Sequence, residues 1–553
     1  MKSWALGSFG IAIALVLLSA HASAQGDEPA EGAKPAADKP ADGKAGVSAK
    51  GSAKADEDEE EEEDAPAAKP AAAASASGEV QMTAPSAEAP PAPESGLAAT
   101  RAPVYGKRGD WNITPYGYAR FDAIEDSTQS FEDGIQPNLI QRVGTYRGDH
   151  RRTIFTARDS RIGLFVGAPP LGSIRTSGQI EFDFYGLAPT DARRHDTVVF
   201  GPLRIRHAYL KLETPAIDVI AGQYFDLFGW NGSFYPATVG YMGVPAQLYH
   251  RNPQLRLQKD IGSADGFQLS IAAAAVRPGQ RDSGVPDVQG GIKIAIGQWS
   301  GAAMSGFGRP AKTPLSIGLS GVYRRFEVPA FRAEPGSEAV KASGYGFAAQ
   351  ILAPIVPIKD IEDHGNALTL TGEFSTGTGI ADMYTFMDGG SRFPLLPNPG
   401  NASPAVIYQA NVDPGLVTFD RTFALKTIQW TGFVGGLQYY FPIGGGKLWV
   451  SAIYSQIKSN NIKKLTPYPS WGGIFTKMEY FDANLGYDIT PAVCAGVSFQ
   501  TVKQTFGDVS SDTPIYGTTG GTGNTAPLAV AGTGGVAATA RNNRLQFSMA
   551  FFF

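Results

Sequence analysis

The chain of 553 residues has one cysteine, Cys494, so no internal disulfide can staple it. Beyond its first two dozen residues it has no apolar run of about eighteen, which excludes a membrane-spanning helix. Its six histidines form no metal-ligand spacing and no nucleophile–base pattern. No metal, cofactor or enzymatic activity is therefore expected. It also lacks any basic run or patterned aromatic motif, which argues against nucleic acid as a partner. What it has in quantity is 67 Gly, 31 Phe, 21 Tyr and 7 Trp. Long strands that are apolar on one side only have this composition.

The first 24 residues have the form of a secretory signal peptide: Lys2, an apolar stretch from Ile11 to Leu18, and Ala22-Ser23-Ala24 as a cleavage site. Residues 25–108 are rich in Ala, Pro, Lys and Glu and contain an unbroken acidic run from Asp56 to Asp64. Such a segment cannot bury enough apolar surface to fold alone, so a disordered periplasmic tether is expected. The net charge of −5 is uneven: residues 1–108 hold 10 Lys+Arg and 17 Asp+Glu, leaving 37 and 35 for residues 109–553.

The rest of the chain, residues 109–553, repeats the logic of Arg152 to Phe184. There Arg175, Ser177, Gln179, Glu181 and Asp183 alternate with Thr176, Gly178, Ile180, Phe182 and Phe184. A period of two marks a strand. Charge on one face and apolar side chains on the other suit a membrane barrel, with lipid outside and water inside. Sixteen strands are predicted, near 111–123, 152–166, 174–185, 202–213, 217–228, 253–261, 266–277, 289–299, 314–327, 343–355, 366–377, 427–441, 446–459, 477–488, 492–506 and 542–553. Short links such as 214–216 and 442–445 alternate with long ones such as 124–151 and 378–426. The link near 300–313 is too long for that scheme. The fold class is thus all-β: a transmembrane antiparallel β-barrel in the outer membrane, in contact with its lipid. The last strand ends the chain on an apolar aromatic, Phe553, which resembles the terminal signal read by the outer-membrane assembly machinery.

Arg158, Arg161, Arg175, Arg204, Arg206, Arg251 and Arg256 cluster on the second, third, fourth and sixth strands and at the end of the third loop. Strands lie about 4.8 Å apart, so these side chains can form one ladder. A guanidinium about 7 Å from an anion gains roughly 2 kcal/mol at an effective dielectric of 20. Simple alternation does not place Arg158 and Arg161 on one face, and the parity of Arg204 to His207 is ambiguous. The segment 229–252 is aromatic, Gly- and Pro-rich, and nearly uncharged before His250. Folded inward, with Trp230, Tyr235, Tyr241 and His250, it would narrow the lumen.

The run from Trp111 to Arg256 resembles the DcaP-type trimeric porins of Gram-negative bacteria. The matching pieces are YGYARFDAIEDS (Tyr116 to Ser127), ARDSRIGL (Ala157 to Leu164), GQIEFDFYG (Gly178 to Gly186), LRIRHAYLKL (Leu203 to Leu212), AGQYFDLFG (Ala221 to Gly229) and RNPQLRL (Arg251 to Leu257). The resemblance implies a sixteen-stranded homotrimer, a third loop folded into the pore, and constriction arginines that favour dicarboxylates. It departs from the family in lacking a helical coiled-coil arm before the barrel. The function expected is passive diffusion of small hydrophilic solutes, anions above all. A phosphate-selective porin would want more lysines than Lys211 and Lys259 on these strands. A structural anchor to the cell wall would want a folded wall-binding domain, and none is visible in the tether.

Overall fold

Alternating sequence becomes alternating exposure. In the computed structural model, Leu545, Phe547, Met549 and Phe551 on the last strand are 39–52% exposed, while Arg544, Gln546 and Ser548 are at 0–1%. This inverts a soluble protein, in which the charged and amide side chains would face water. The inversion runs around the whole sheet. Phe155, Ile180, Leu210, Leu257, Ile271, Leu319, Phe374, Phe433 and Leu485 all point outward and are exposed. Outward aromatics ring both ends, with Tyr323 and Tyr345 at one rim and Phe267, Trp299 and Tyr487 at the other.

The structure describes residues 107–108, 111–131, 139–186, 202–240, 243–330, 339–385, 387, 411–420, 422, 424–465, 475–507 and 537–553. The signal segment, the tether 25–106 and Tyr241 lie outside them.

Sixteen antiparallel strands close a barrel: β1 (Trp111–Asp126), β2 (Arg152–Thr156 and Arg161–Gly167), β3 (Arg175–Asp183), β4 (Arg204–Glu213), β5 (Asp218–Phe225), β6 (Arg251–Gly262), β7 (Phe267–Val276), β8 (Asp287–Ala303), β9 (Ala311–Pro329), β10 (Ala339–Val356), β11 (Leu368–Thr378), β12 (Gln429–Tyr440), β13 (Leu448–Ser459), β14 (Phe475–Asp488), β15 (Val493–Phe506) and β16 (Thr539–Phe552). Each pairs with its chain neighbours. β16 returns to β1, with Tyr118 opposite Phe552 and Asp126 opposite Arg544, so no edge is left open. Lys107–Arg108, at the end of the expected tether, pair with Asn112 and Trp111. Among the described residues no helix is long and apolar enough to cross a membrane; the chain crosses with strands.

The predicted strands and their alternating links are met, with one correction. The suspected long link near 300–313 is a short turn at 304–310. β8 runs on to Ala303 and β9 starts at Ala311, with Ser300 opposite Pro314 and a register shift between Ile296 and Ser300. Gly297, Gly301, Pro310 and Pro314 imitate a loop in the sequence, but the bulge takes up Gly297, while Gly301 and Pro314 stay paired and Pro310 closes the turn. The shortest turns fall at one rim and the longest loops at the other, with the links 304–310 and 357–367 on the short-turn side. Both barrel ends lie at the short-turn rim.

Candidate functional site

The loop 226–250, third of the long loops, lies against the inner wall. From its start, Phe228 donates its backbone N–H to Gln289 Oε1 at 2.8 Å and Gly229 donates to Ser320 Oγ at 2.8 Å. The Trp230 indole donates to the Leu319 carbonyl at 3.1 Å. On the far side Val239 donates to Asn484 Oδ1 at 2.8 Å, and Thr238 bonds Asp482. Gln247 Nε2 and the Leu248 backbone both reach Glu373 at 2.7 Å. The anchors thus come from β8, β9, β11 and β14, so the loop crosses the lumen. Trp230 and Ala246 hold positive φ values of 42° and 71°, a strained backbone for residues with a Cβ. Such strain persists only where the surroundings over-determine it, and here the wall contacts do so.

The neck of this loop is tied by one carboxylate. Asp226 accepts from His250 Nδ1 at 3.3 Å, from Asn252 Nδ2 at 3.1 and 3.2 Å, and from Gln289 Nε2 at 3.2 Å. Burial alone would raise its pKa, but the hydrogen bonds from His250, Gln289 and Asn252 hold it below the usual carboxylate range.

Two local irregularities decide where the arginines go. β2 is broken at 157–160, where Asp159 accepts from Arg120 Nη1 at 2.8 Å. This break removes the parity conflict: Arg158 turns to the Phe184 carbonyl at 3.0 Å and lies under the Tyr185 ring, while Arg161 faces Glu181 at 3.7 Å. The ladder between β3 and β4 shifts between Glu181 and Phe182, so that Arg206 is the extra residue of a bulge. Arg204, Arg206 and His207 thereby all reach the inner side of the wall.

The arginines and the acids of this wall are brought together. Arg204 grips Asp183 with two bonds of 2.9 and 2.6 Å. Arg206 bonds Glu181 and Asp183, each at 2.7 Å. Arg256 bonds the Phe225 carbonyl and Gln254 Oε1 and lies over the Tyr224 ring. Arg175 stands apart, exposed at the start of β3 beside the short-turn rim and opposite Glu213. Arg251 has no ion pair among the described residues. It stacks on Phe225 and Tyr249 and donates to the Tyr249 hydroxyl at 3.2 Å.

Tyr249 is the residue that sequence reasoning missed. Its hydroxyl sits between Arg251 and Arg206, 3.2 Å from each. Burial would raise the phenol, yet the charges of Arg251, Arg206 and Arg161 outweigh burial and hold it below its ordinary pKa. Glu181 acts on the phenol in the opposite sense, and the three guanidinium charges prevail over it. Tyr235, whose ring centroid is 4.8 Å from that of Tyr249, backs it within the loop. Arg120 was missed as well, although it shares parity on β1 with Tyr116 and Tyr118. It holds Asp122 and Asp159 and donates to the Val239 carbonyl of the loop at 2.7 Å.

Phe553 sits on the closing seam. Its backbone exchanges two hydrogen bonds with Gly117, at 3.0 and 3.1 Å.

No family model and no curated protein matches the chain. Solved structures do. The outer membrane channel DcaP of Acinetobacter baumannii superposes with a TM-score of 0.52 and 17% identity, over 81% of this chain and 99% of that one. An anion-selective porin from Comamonas acidovorans has a TM-score of 0.42 and 11% identity, over 80% and 100%. Pseudomonas putida OprB has a TM-score of 0.41 and 12% identity, over 79% and 94%. The resemblance expected from the sequence is met in the fold: this chain shares its closed sixteen-stranded barrel with the outer membrane channel DcaP.

Proposed function

We propose that the chain is an outer-membrane porin of the DcaP type that passes small hydrophilic solutes by diffusion and prefers anions such as dicarboxylates. The observation that carries the preference is the Tyr249 hydroxyl held between Arg206 and Arg251, where guanidinium charge outweighs both burial and Glu181. An anion passing there exchanges its hydration shell for planar donors that fit carboxylates in pairs. Arg204, with its side chain 38% exposed, offers solvent-facing charge on the same wall. Half-compensated sites of this kind attract without trapping, which conduction requires.

The apolar outer face supports a lipid environment, and the short-turn rim, where both barrel ends lie, is assigned to the periplasm with the tether. A homotrimer and insertion by the outer-membrane assembly machinery, through Phe553, belong to the same proposal. Reversal potentials of the purified protein in planar bilayers across a KCl gradient test it directly. A potential of the anionic sign, and block by a dicarboxylate such as succinate, are expected; a cationic sign would sink the anion assignment.

A further inference from the structure

The arginine wall faces loop 226–250, and besides its wall anchors that loop pairs with the start of a second long link, 379–428. Among its described residues is a turn, Ala381–Met383, that is almost fully buried. Asp382 in the turn is chelated by Arg324 of β9: Nη1 reaches Oδ1 at 2.6 Å and Nη2 reaches Oδ2 at 2.7 Å. The same guanidinium bonds Asp287 of β8 at 2.7 Å and the Gly379 carbonyl at 2.8 Å. Arg324, Asp287 and Asp382 are each at 2–3% exposure. The residues after Asp382 then pair with the third loop. Tyr249 donates its backbone N–H to Met383 at 3.1 Å, Thr385 donates to Gln247 at 2.8 Å, and Leu248 forms an antiparallel bridge with Tyr384.

Contacts therefore run from Arg324 to Asp382, from the adjacent Met383 to the Tyr249 backbone, and from the Tyr249 hydroxyl to Arg206 and Arg251. We propose that Arg324 is a positioning residue for the pore: its bidentate grip on Asp382 fixes the backbone that places Tyr249 between Arg206 and Arg251. A planar fork anchored at three points suits this task, since it sets direction as well as distance. The surroundings leave it no slack. An added Cβ at Gly279 would stand 1.9 Å from Arg324 Nη2. The selectivity readout of this inference rests on the proposed function; the conductance readout does not.

The test uses the full-length protein in planar bilayers, with folded barrel scored by heat-modifiable gel migration. Asp382→Asn removes the charge that Arg324 chelates and leaves the Arg324–Asp287 pair. Loss of a buried negative charge would by itself raise anion preference. Positioning predicts the opposite: a fall in the anion-to-cation permeability ratio of about fivefold, the lower end of typical coupling between sites, with altered single-channel conductance. Gly279→Ala, which displaces the guanidinium without changing charge, is expected to do the same. Arg325→Ala, the exposed neighbour on β9, is expected to do neither. Unchanged conductance and reversal potential in Asp382→Asn and Gly279→Ala would overturn the proposal. So would failure of both to fold while Arg325→Ala folds, because Arg324 would then only brace the wall. If the wild type proves cation-preferring, the proposed function fails, and the conductance of the two variants still decides the role of Arg324.

Discussion

Leu248 donates its backbone N–H to Glu373 Oε1 over 2.7 Å, tying the third loop to the wall strand β11 at a point that no solvent reaches. Glu373 also accepts from Gln247 at 2.7 Å and from Gln350 at 3.3 Å. One carboxylate thus secures the loop by both a side chain and a backbone, just before Tyr249.

Replacing Glu373 with Ala leaves these buried donors without an acceptor, at about 1–3 kcal/mol for each unsatisfied group. The loop should leave its seat while the barrel persists. Single-channel recordings are expected to show larger and noisier steps, with heat-modifiable migration retained. Steps identical to wild type would mean that Glu373 does not hold the loop.

Arg251→Ala and Arg206→Ala should differ. Arg206 is paired with Glu181 and Asp183, so its loss strips one guanidinium from each of two carboxylates and leaves them with Arg161 and Arg204. Breaking a buried pair from one side typically costs about 3–5 kcal/mol. Arg206→Ala is expected to lower barrel yield and to turn the reversal potential toward cations. Arg251→Ala unmasks no acid and should reduce anion preference with normal yield. Equal yields and equal potentials for the two would contradict the charge assignment.

Closure of the barrel depends on Gly117. A Cβ there would lie 2.3 Å from the Arg161 carbonyl oxygen and 2.9 Å from the Phe553 ring. Gly117→Val is therefore expected to block pairing of β1 with both neighbours and to cut the yield of folded barrel sharply. Deletion of Phe553 removes two seam hydrogen bonds and should lower insertion more mildly. Both are measured by the ratio of heat-modifiable to unfolded protein after membrane extraction, and wild-type ratios would refute the seam argument.

Acid should loosen the third loop through Asp226. Its folded pKa lies below its unfolded value of about 3.9, so the stabilisation is complete above that value and is lost as pH falls through the folded pKa. Channel current noise should stay flat from neutral pH down to about 4 and rise below it. Asp226→Asn should remove that dependence and be noisy throughout. A noise onset nearer neutrality in the wild type would assign the transition to another group.

The barrel is legible in the sequence because lipid outside and water inside impose a period of two that each strand must satisfy alone. Leu545, Phe547, Met549 and Phe551 declare their facing without reference to any other part of the chain. Asp482 and Asn484 share the inward parity of β14, and in the fold they anchor the third loop. Where a strand departs from regularity, the sequence goes silent. The break at Ala157–Ser160 and the bulge at Arg206 settle which arginines share the wall. Each arises from pairing with a neighbouring strand, which alternation along one strand cannot register. Tyr249 and Arg324 lie further still from view. Their roles depend on two long loops meeting inside the lumen, more than a hundred residues apart in the chain, where burial and charge complementarity, rather than any local pattern, decide the contact.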